Sequence, residues 1–319
     1  MRLYVLLVML LALVSAACAP ANRPPAATTG PTATGAPAAT SAPAAASAPA
    51  AQPTPIPRSG SDRDLILATT TSTQDSGLLD VLVPLFEEQT GYQVKTVSVG
   101  TGAALALGAR GEADVVLVHA PASEVQWMDQ GNGTERLLVM HNDFLIIGPA
   151  EDPAHIKGMP SALEALKQIA NTRSPFVSRG DNSGTQQLEL SLWQKDGISP
   201  KAQPWYIESG TGMGQTLTIA DERQAYTISD RATWLAFSGK IQLPIMVERD
   251  PVLLNVYHVM PVNPAKFPGV PINATGGKAF ADFMVAPATQ RVIGDFGRDR
   301  YGQALFVPDA GKAEAEVGL

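Results

Sequence analysis

"LATTTSTQDSG", residues 67–77, closes the apolar run Leu65, Ile66, Leu67, Ala68 with four threonines and a serine, Thr69 to Thr73. A buried strand that runs into hydroxyls and then toward an amphipathic segment sets side-chain and backbone donors at a strand-to-helix junction. Such a neutral donor surface is what a small oxyanion needs. Ser and Thr are also ordinary helix caps and turn residues, so the cluster must be weighed against the rest of the chain.

Working outward, residues 77–91 place Leu78, Leu79, Leu82, Leu85 and Phe86 on one helical side, with Pro84 inside and Gly91 as the C-cap. A strand over 93–99, a Gly/Thr turn at 100–102, a small-residue helix over 103–109 and the buried strand "DVVLV" at 114–118 follow. The alternation continues with a helix near 123–130, strands around 137–148, a helix over 161–171, a strand at 176–178 and a helix over 184–196. Then come strand 205–208, helix 214–221, strand 225–228, a short helix at 232–237, strands between 245 and 262, and helices over 276–284 and 288–296. This pattern predicts an α/β fold with parallel or mixed sheets flanked by helices and divided into two lobes, one of residues 62–145 plus 251–319 and the other of residues 146–250. In such sheets ligands bind at the carboxyl ends of strands.

Four segments repeat the design of strand, polar Gly/Ser/Thr loop and helix: "ATTTSTQDSG" (68–77), "SVGTGAAL" (98–105), "FVSRGDNSGTQQ" (176–187) and "ESGTGMGQT" (208–216). Each alone reads as a cap or turn, whereas four in one chain point to convergent helix N-termini with open donors. The third is the most specific. Arg179 stands before a helix whose first turn holds Ser183, Gly184 and Thr185, so its guanidinium can add a full charge and a donor fork to the backbone donors. The competing reading pairs Arg179 with Asp181 or a surface carboxylate. Asp230 is read as an N-cap, Asp75 and Asp181 as caps or outward-facing pairs, and His119 and His258 as hydrogen-bonded structural histidines. Trp127, Trp193, Trp205 and Trp234 are assigned to cores or to the interface between lobes.

The ends of the chain carry different information. Residues 1–17 join one cation, Arg2, to an apolar stretch from Leu3 to Val14 and the small residues Ser15, Ala16 and Ala17, the form of an export signal. Cys18, the chain's one cysteine, follows at once. A lone thiol makes no internal disulfide, and no metal-ligating cluster accompanies it. Its position resembles the bacterial lipoprotein box, with Ser15 where that box has a larger aliphatic residue, and implies lipidation. Residues 18–61 are almost wholly Ala, Pro, Thr, Ser and Gly, which bury no core. Extended at about 3.1 Å per residue, such a tether reaches on the order of 100 Å from a membrane. The remainder holds all 30 acidic residues and 20 of the 23 basic ones, a net charge of −10, which argues against nucleic acid as a partner. An anion would have to be attracted locally.

Enzyme signatures are absent from the sequence: no G-x-S-x-G elbow, no H-E-x-x-H, no third glycine of a dinucleotide fingerprint and no P-loop lysine. A serine hydrolase using Ser72 or Ser183 with a distant histidine stays open, since spacing does not exclude it.

Taken together, "ATTTSTQDSGLLDVLVPLFEEQTGYQV", "VGTGAALALGARGEADVVLVHAPASE", "FVSRGDNSGTQQLELSLW" and "YTISDRATWLAF" resemble the extracytoplasmic tungstate-binding proteins of ABC transporters, a branch of the two-lobed type II periplasmic binding fold. The resemblance spans nearly all of the chain after residue 61. It implies an oxyanion held by Thr70, Thr71 and Ser72 of one lobe and Arg179, Ser183, Gly184 and Thr185 of the other, with Thr101 as a further donor. It also implies tungstate or molybdate as ligand, a permease and its ATPase as partners, a monomeric receptor without a cofactor, and no catalysis. A phosphate or sulfate receptor is the nearest rival.

Overall fold

A computed structural model describes residues 63–318; the signal segment, Cys18 and the Ala/Pro/Thr-rich tract lie outside the described residues. The hydroxyl run sits in a parallel set of strands, β1 (Asp64–Thr70), β2 (Gln93–Val99) and β3 (Val115–Val118). β1 is central, parallel to β2 on one side and to β3 on the other. All seven of its residues are buried, the property of a parallel strand covered on both faces, and this explains why residues 65–68 read as one apolar run. Because the three strands run the same way, their carboxyl ends bring Thr70, Gly100 and His119 to one edge.

The crossovers are α1 (Thr71–Asp75) and α2 (Leu79–Thr90) after β1, and α3 (Thr101–Ala109) after β2. The sequence predicts one helix from Gly77. The structure instead winds the hydroxyl run itself into α1 and breaks at Gly77, whose φ of 81° suits glycine. Gly91 closes α2 at φ 74°, as expected. After β3, α4 (Pro121–Asp129) leads to β4 (Leu137–Ile147), a single long strand.

β4 belongs to two pairings. Its residues 137–143 run antiparallel to β9 (Leu254–Pro261), which in turn pairs with β3, while residues 144–147 pair with β7 (Thr227–Asp230) and β8 (Ile245–Val247). Residues 148–253 fold around that second part. They form α5 (Ala162–Thr172), β5 (Phe176–Ser178), α6 (Gly184–Lys195), β6 (Tyr206–Glu208), α7 (Met213–Glu222), β7, α8 (Arg231–Phe237) and β8. α5 buries Ala162, Ala165, Leu166 and Ile169, the spacing of one helical face, behind Ser161 as its N-cap. β5 is parallel to β6 and bridges in parallel to Tyr226, one residue before β7, so Ser178, Glu208 and Asp230 end on one side. β7 runs two residues past its expected end, to Asp230, because Tyr226 only bridges to β5 while 227–230 form the ladder with β4.

The chain then returns through β9 and adds α9 (Ala274–Val285), α10 (Pro287–Asp295), α11 (Arg298–Tyr301) and the two-residue β10 (Val307–Pro308), which edges β4. α11 and β10 are too short to leave a periodic signal. The buried apolar side chains fall into several clusters. Leu65, Leu82, Phe86, Val115, Phe280 and Met284 anchor one, which also takes in Ala232 and Leu235 of α8, and Phe176, Trp193, Ile169, Tyr226 and Ile228 anchor another. Trp127, Trp193 and Trp205 are buried as expected.

Candidate functional site

The strand ends converge. At the end of β1, Thr69 turns away, donating its hydroxyl to the Leu117 carbonyl of β3 at 2.8 Å. Thr70 is the N-cap of α1 and accepts from the Thr73 amide at 3.2 Å. Its hydroxyl also lies 3.1 Å from Ser72 Oγ and 3.1 Å from His119 Nε2, and Ser72 Oγ lies 3.0 Å from the same nitrogen. Thr70, Ser72 and His119 are all buried. Sequence reasoning treated His119 as structural. The available signal was topological, since β3 lies beside β1 and the residue after β3 must end next to Thr70.

The opposite wall is the loop from β5 to α6. Arg179 is 1% exposed, and its Nη2 donates to Thr71 Oγ1 at 2.8 Å and to Asp181 Oδ2 at 2.5 Å. The competing reading of Arg179 as the partner of Asp181 is therefore correct for one nitrogen. Nε and Nη1 remain, buried and without a partner on the protein. Asp181 spends its other oxygen on the Ser183 amide at 3.1 Å. Ser183 caps α6 by accepting from the Gln186 amide at 3.2 Å. The Thr185 hydroxyl is buried without a partner.

The two walls touch through backbone. The Gly184 amide donates to Thr101 Oγ1 at 2.9 Å, and the Gly102 amide to the Asn182 carbonyl at 3.1 Å. Glycine is needed at both approaches: a Cβ on Gly184 would lie 2.7 Å from the His119 carbonyl oxygen, and one on Gly102 2.1 Å from Asn182 Nδ2. The eight residues singled out thus gather at one place. Thr71 and Arg179 meet directly, Thr101 and Gly184 bond each other, Thr70 and Ser72 share His119, and Ser183 and Thr185 occupy the start of α6.

Of the aspartates expected as caps or outward pairs, Asp181 faces inward to Arg179, and two more serve as caps within the structure. Asp75, half-buried, accepts from the Gly214 amide in the first turn of α7 at 3.1 Å, so it caps a helix of the opposite wall. Burial raises its pKa, against the lowering effects of that amide and of Arg179. Asp230 is an N-cap, as read, since its Oδ1 accepts from the Thr233 amide at 2.9 Å. It is, however, fully buried, and its Oδ2 has no partner. Burial pushes its carboxyl up to about 6, partly offset by the Thr233 bonds and Arg179.

This arrangement can bind an anion but is poorly built for catalysis. Ser72 and His119 have the separation of a nucleophile and its base. Yet burial, and then the Arg179 charge, push the imidazole down to about 3, and its Nδ1 has no carboxylate or other partner to orient it. A base that weak does not deprotonate a serine near neutrality. Among the described residues no His, Cys, Asp and Glu group has metal-holding geometry. No helix of these residues is long and apolar enough to cross a membrane.

Comparison with known proteins gives concordant matches. The family described as the PBP superfamily domain matches residues 31–288. The tungstate-binding protein TupA of Peptoclostridium acidaminophilum is 49% identical over 250 residues, 78% of this chain and 86% of that protein. The crystal structure of the tungstate ABC transporter from Geobacter sulfurreducens is 45% identical, covers 74% of this chain and 100% of its own, and superposes with a TM-score of 0.66. The tungstate-binding protein TupA from Desulfovibrio alaskensis G20 is 46% identical over 77% of this chain and 99% of its own, with a TM-score of 0.63.

Proposed function

This chain belongs to the PBP superfamily, in the family of the tungstate-binding proteins, and on that premise we propose that it is an extracytoplasmic receptor that takes tungstate, and also molybdate, into an interlobe cleft and delivers it to an ABC transporter. It is a binding protein and not an enzyme. The observation that carries the reading is the buried Arg179 guanidinium, held in place by Thr71 and Asp181 with Nε and Nη1 still free to donate. A buried cation with unspent donors is costly unless an anion completes it. Around it, Thr70, Thr71, Ser72, Thr101, Ser183 and Thr185 supply hydroxyls, and the start of α6 supplies backbone N–H groups for the oxygens of a tetrahedral ligand.

The lobes of the proposal are residues 62–145 with 251–319, and residues 146–250. The proposed hinge is the pair of strand segments where β4 changes pairing partners, between Asp143 and Phe144, and where the return crosses near Leu254, a change of partners that supports the reading. The ligand would gain the donors of both lobes only when they meet, and that differential affinity favours the closed state. Lipidation at Cys18 and the tether of residues 18–61 would hold the receptor at the membrane within reach of the permease. Titration of the mature protein with tungstate under native mass spectrometry tests the reading. One oxyanion bound per chain, released unchanged, is expected; absence of any bound tungstate overturns it.

A further inference from the structure

We propose that Asp230 is a proton-carrying member of the oxyanion site, so that capture of a tetrahedral dianion draws one proton from solvent onto its carboxyl. The inference rests on the receptor reading above and adds its pH dependence. Asp230 ends β7 and starts α8. α8 in turn grips the hydroxyl run, the Thr233 hydroxyl donating to the Ser72 carbonyl at 3.3 Å. Oδ1 is committed to the Thr233 amide, whereas Oδ2 is buried with no partner and within reach of the Arg179 charge, whose Nε and Nη1 are likewise buried and unpartnered.

The charged and titratable groups around Asp230 come from five segments. The Arg179 charge lowers its pKa, and Asp75 of α1 acts in the opposite sense. From β9, burial and then the Asp230 charge raise Tyr257 well above the ordinary phenol range, so it stays neutral. From the end of β3, His119 is held neutral down to about 3. The adjacent Arg231 offers no relief, because its guanidinium is spent on Asp143 and Glu248 at 2.6 Å each. Arg179 is itself shared with Asp181. An ionised Asp230 would therefore confront an incoming dianion with little compensating charge.

A proton on Oδ2 removes that conflict. It converts a repelling carboxylate into an O–H donor toward a ligand oxygen, in keeping with a site whose other groups all donate. The carboxyl of the unliganded protein, already at about 6, is raised further by the bound dianion. Above that pH each ligand must bring a proton with it, and release of the ligand returns the proton to solvent. No other bond forms or breaks.

The test is calorimetric titration of the wild-type protein with sodium tungstate at pH 6 to 9, in paired buffers of different ionisation enthalpy. The expected result is uptake approaching one proton per tungstate between pH 7 and 8, and affinity falling about tenfold per pH unit in that range. Asp230→Asn keeps an oxygen for the Thr233 amide and should bind tungstate without proton uptake and with a flat pH profile. Wild-type binding without proton uptake overturns the proposal while leaving the receptor reading standing. So does uptake that survives D230N, including uptake that disappears in D75N instead. Failure of the wild-type protein to bind tungstate at any pH contradicts the receptor reading itself.

Discussion

Gly184→Ala adds one methyl group at the junction of the two proposed lobes and nothing else. The Gly184 amide keeps its bond to Thr101 Oγ1, and its φ lies outside the positive range, so alanine carries no backbone strain. The new Cβ, however, would sit 2.7 Å from the His119 carbonyl oxygen, 2.9 Å from Nδ1 and 3.0 Å from Cε1. The first of these is backbone and cannot rotate away, so closure must be relaxed by several tenths of an ångström. Overpacking of this kind costs about 1–3 kcal/mol, which converts to tungstate affinity about 5- to 150-fold weaker. Because the contact lies between the proposed lobes, the melting temperature without ligand should hold while the ligand-induced rise in melting temperature shrinks. Gly239→Ala, where an added Cβ meets nothing within 4 Å, is the control and should bind as the parent does. Calorimetry of both variants decides the matter. If G184A binds tungstate as tightly as G239A, the approach of His119 to α6 is not part of the ligand-bound state.

Arg179→Ala should weaken oxyanion binding by about 2–5 kcal/mol, the usual loss when one member of a buried charge pair is removed, and Arg179→Lys should restore part of it because the planar fork is missing; unchanged affinity by calorimetry would misplace the site. Glu189, fully buried and bonded to Trp193 Nε1 and Tyr206 OH, is pushed by burial up to about 7. An acid raised in the folded state contributes stability that is present below its unfolded pKa and lost as pH rises through its folded one. Glu189 should therefore contribute a fall in stability of on the order of 3 kcal/mol between pH 4.5 and 7 in urea unfolding, and Glu189→Gln should remove that share of the slope, most visibly between pH 6 and 7, above the range in which Asp230 titrates. Mass spectrometry of the exported protein should find a lipidated N-terminal Cys18, and Cys18→Ser should move the protein from the membrane fraction to the soluble one.

What the sequence made legible follows from how locally each feature is encoded. The strands 93–99 and 176–178 match their predicted limits because apolar alternation and turn residues bound them. The hydroxyl loops were legible because four share one design, and strand ends in a parallel sheet gather such loops at one edge. Three features were not. Asp75 caps a helix 139 residues away, and no local rule distinguishes that from an outward surface pair. His119 entered the site through strand order, which depends on β3 pairing with β1. The cap role of Asp230 was visible, while the isolation of its second oxygen depends on what β9, α1 and the Arg179 loop bring around it.

The central claim, a receptor tuned to tungstate-type oxyanions, is tested most directly by competition calorimetry at neutral pH with tungstate, molybdate, sulfate and phosphate on one preparation of the mature protein. The account predicts that tungstate and molybdate bind and displace the other two, with one ligand per chain. Phosphate or sulfate binding more tightly than tungstate would contradict it.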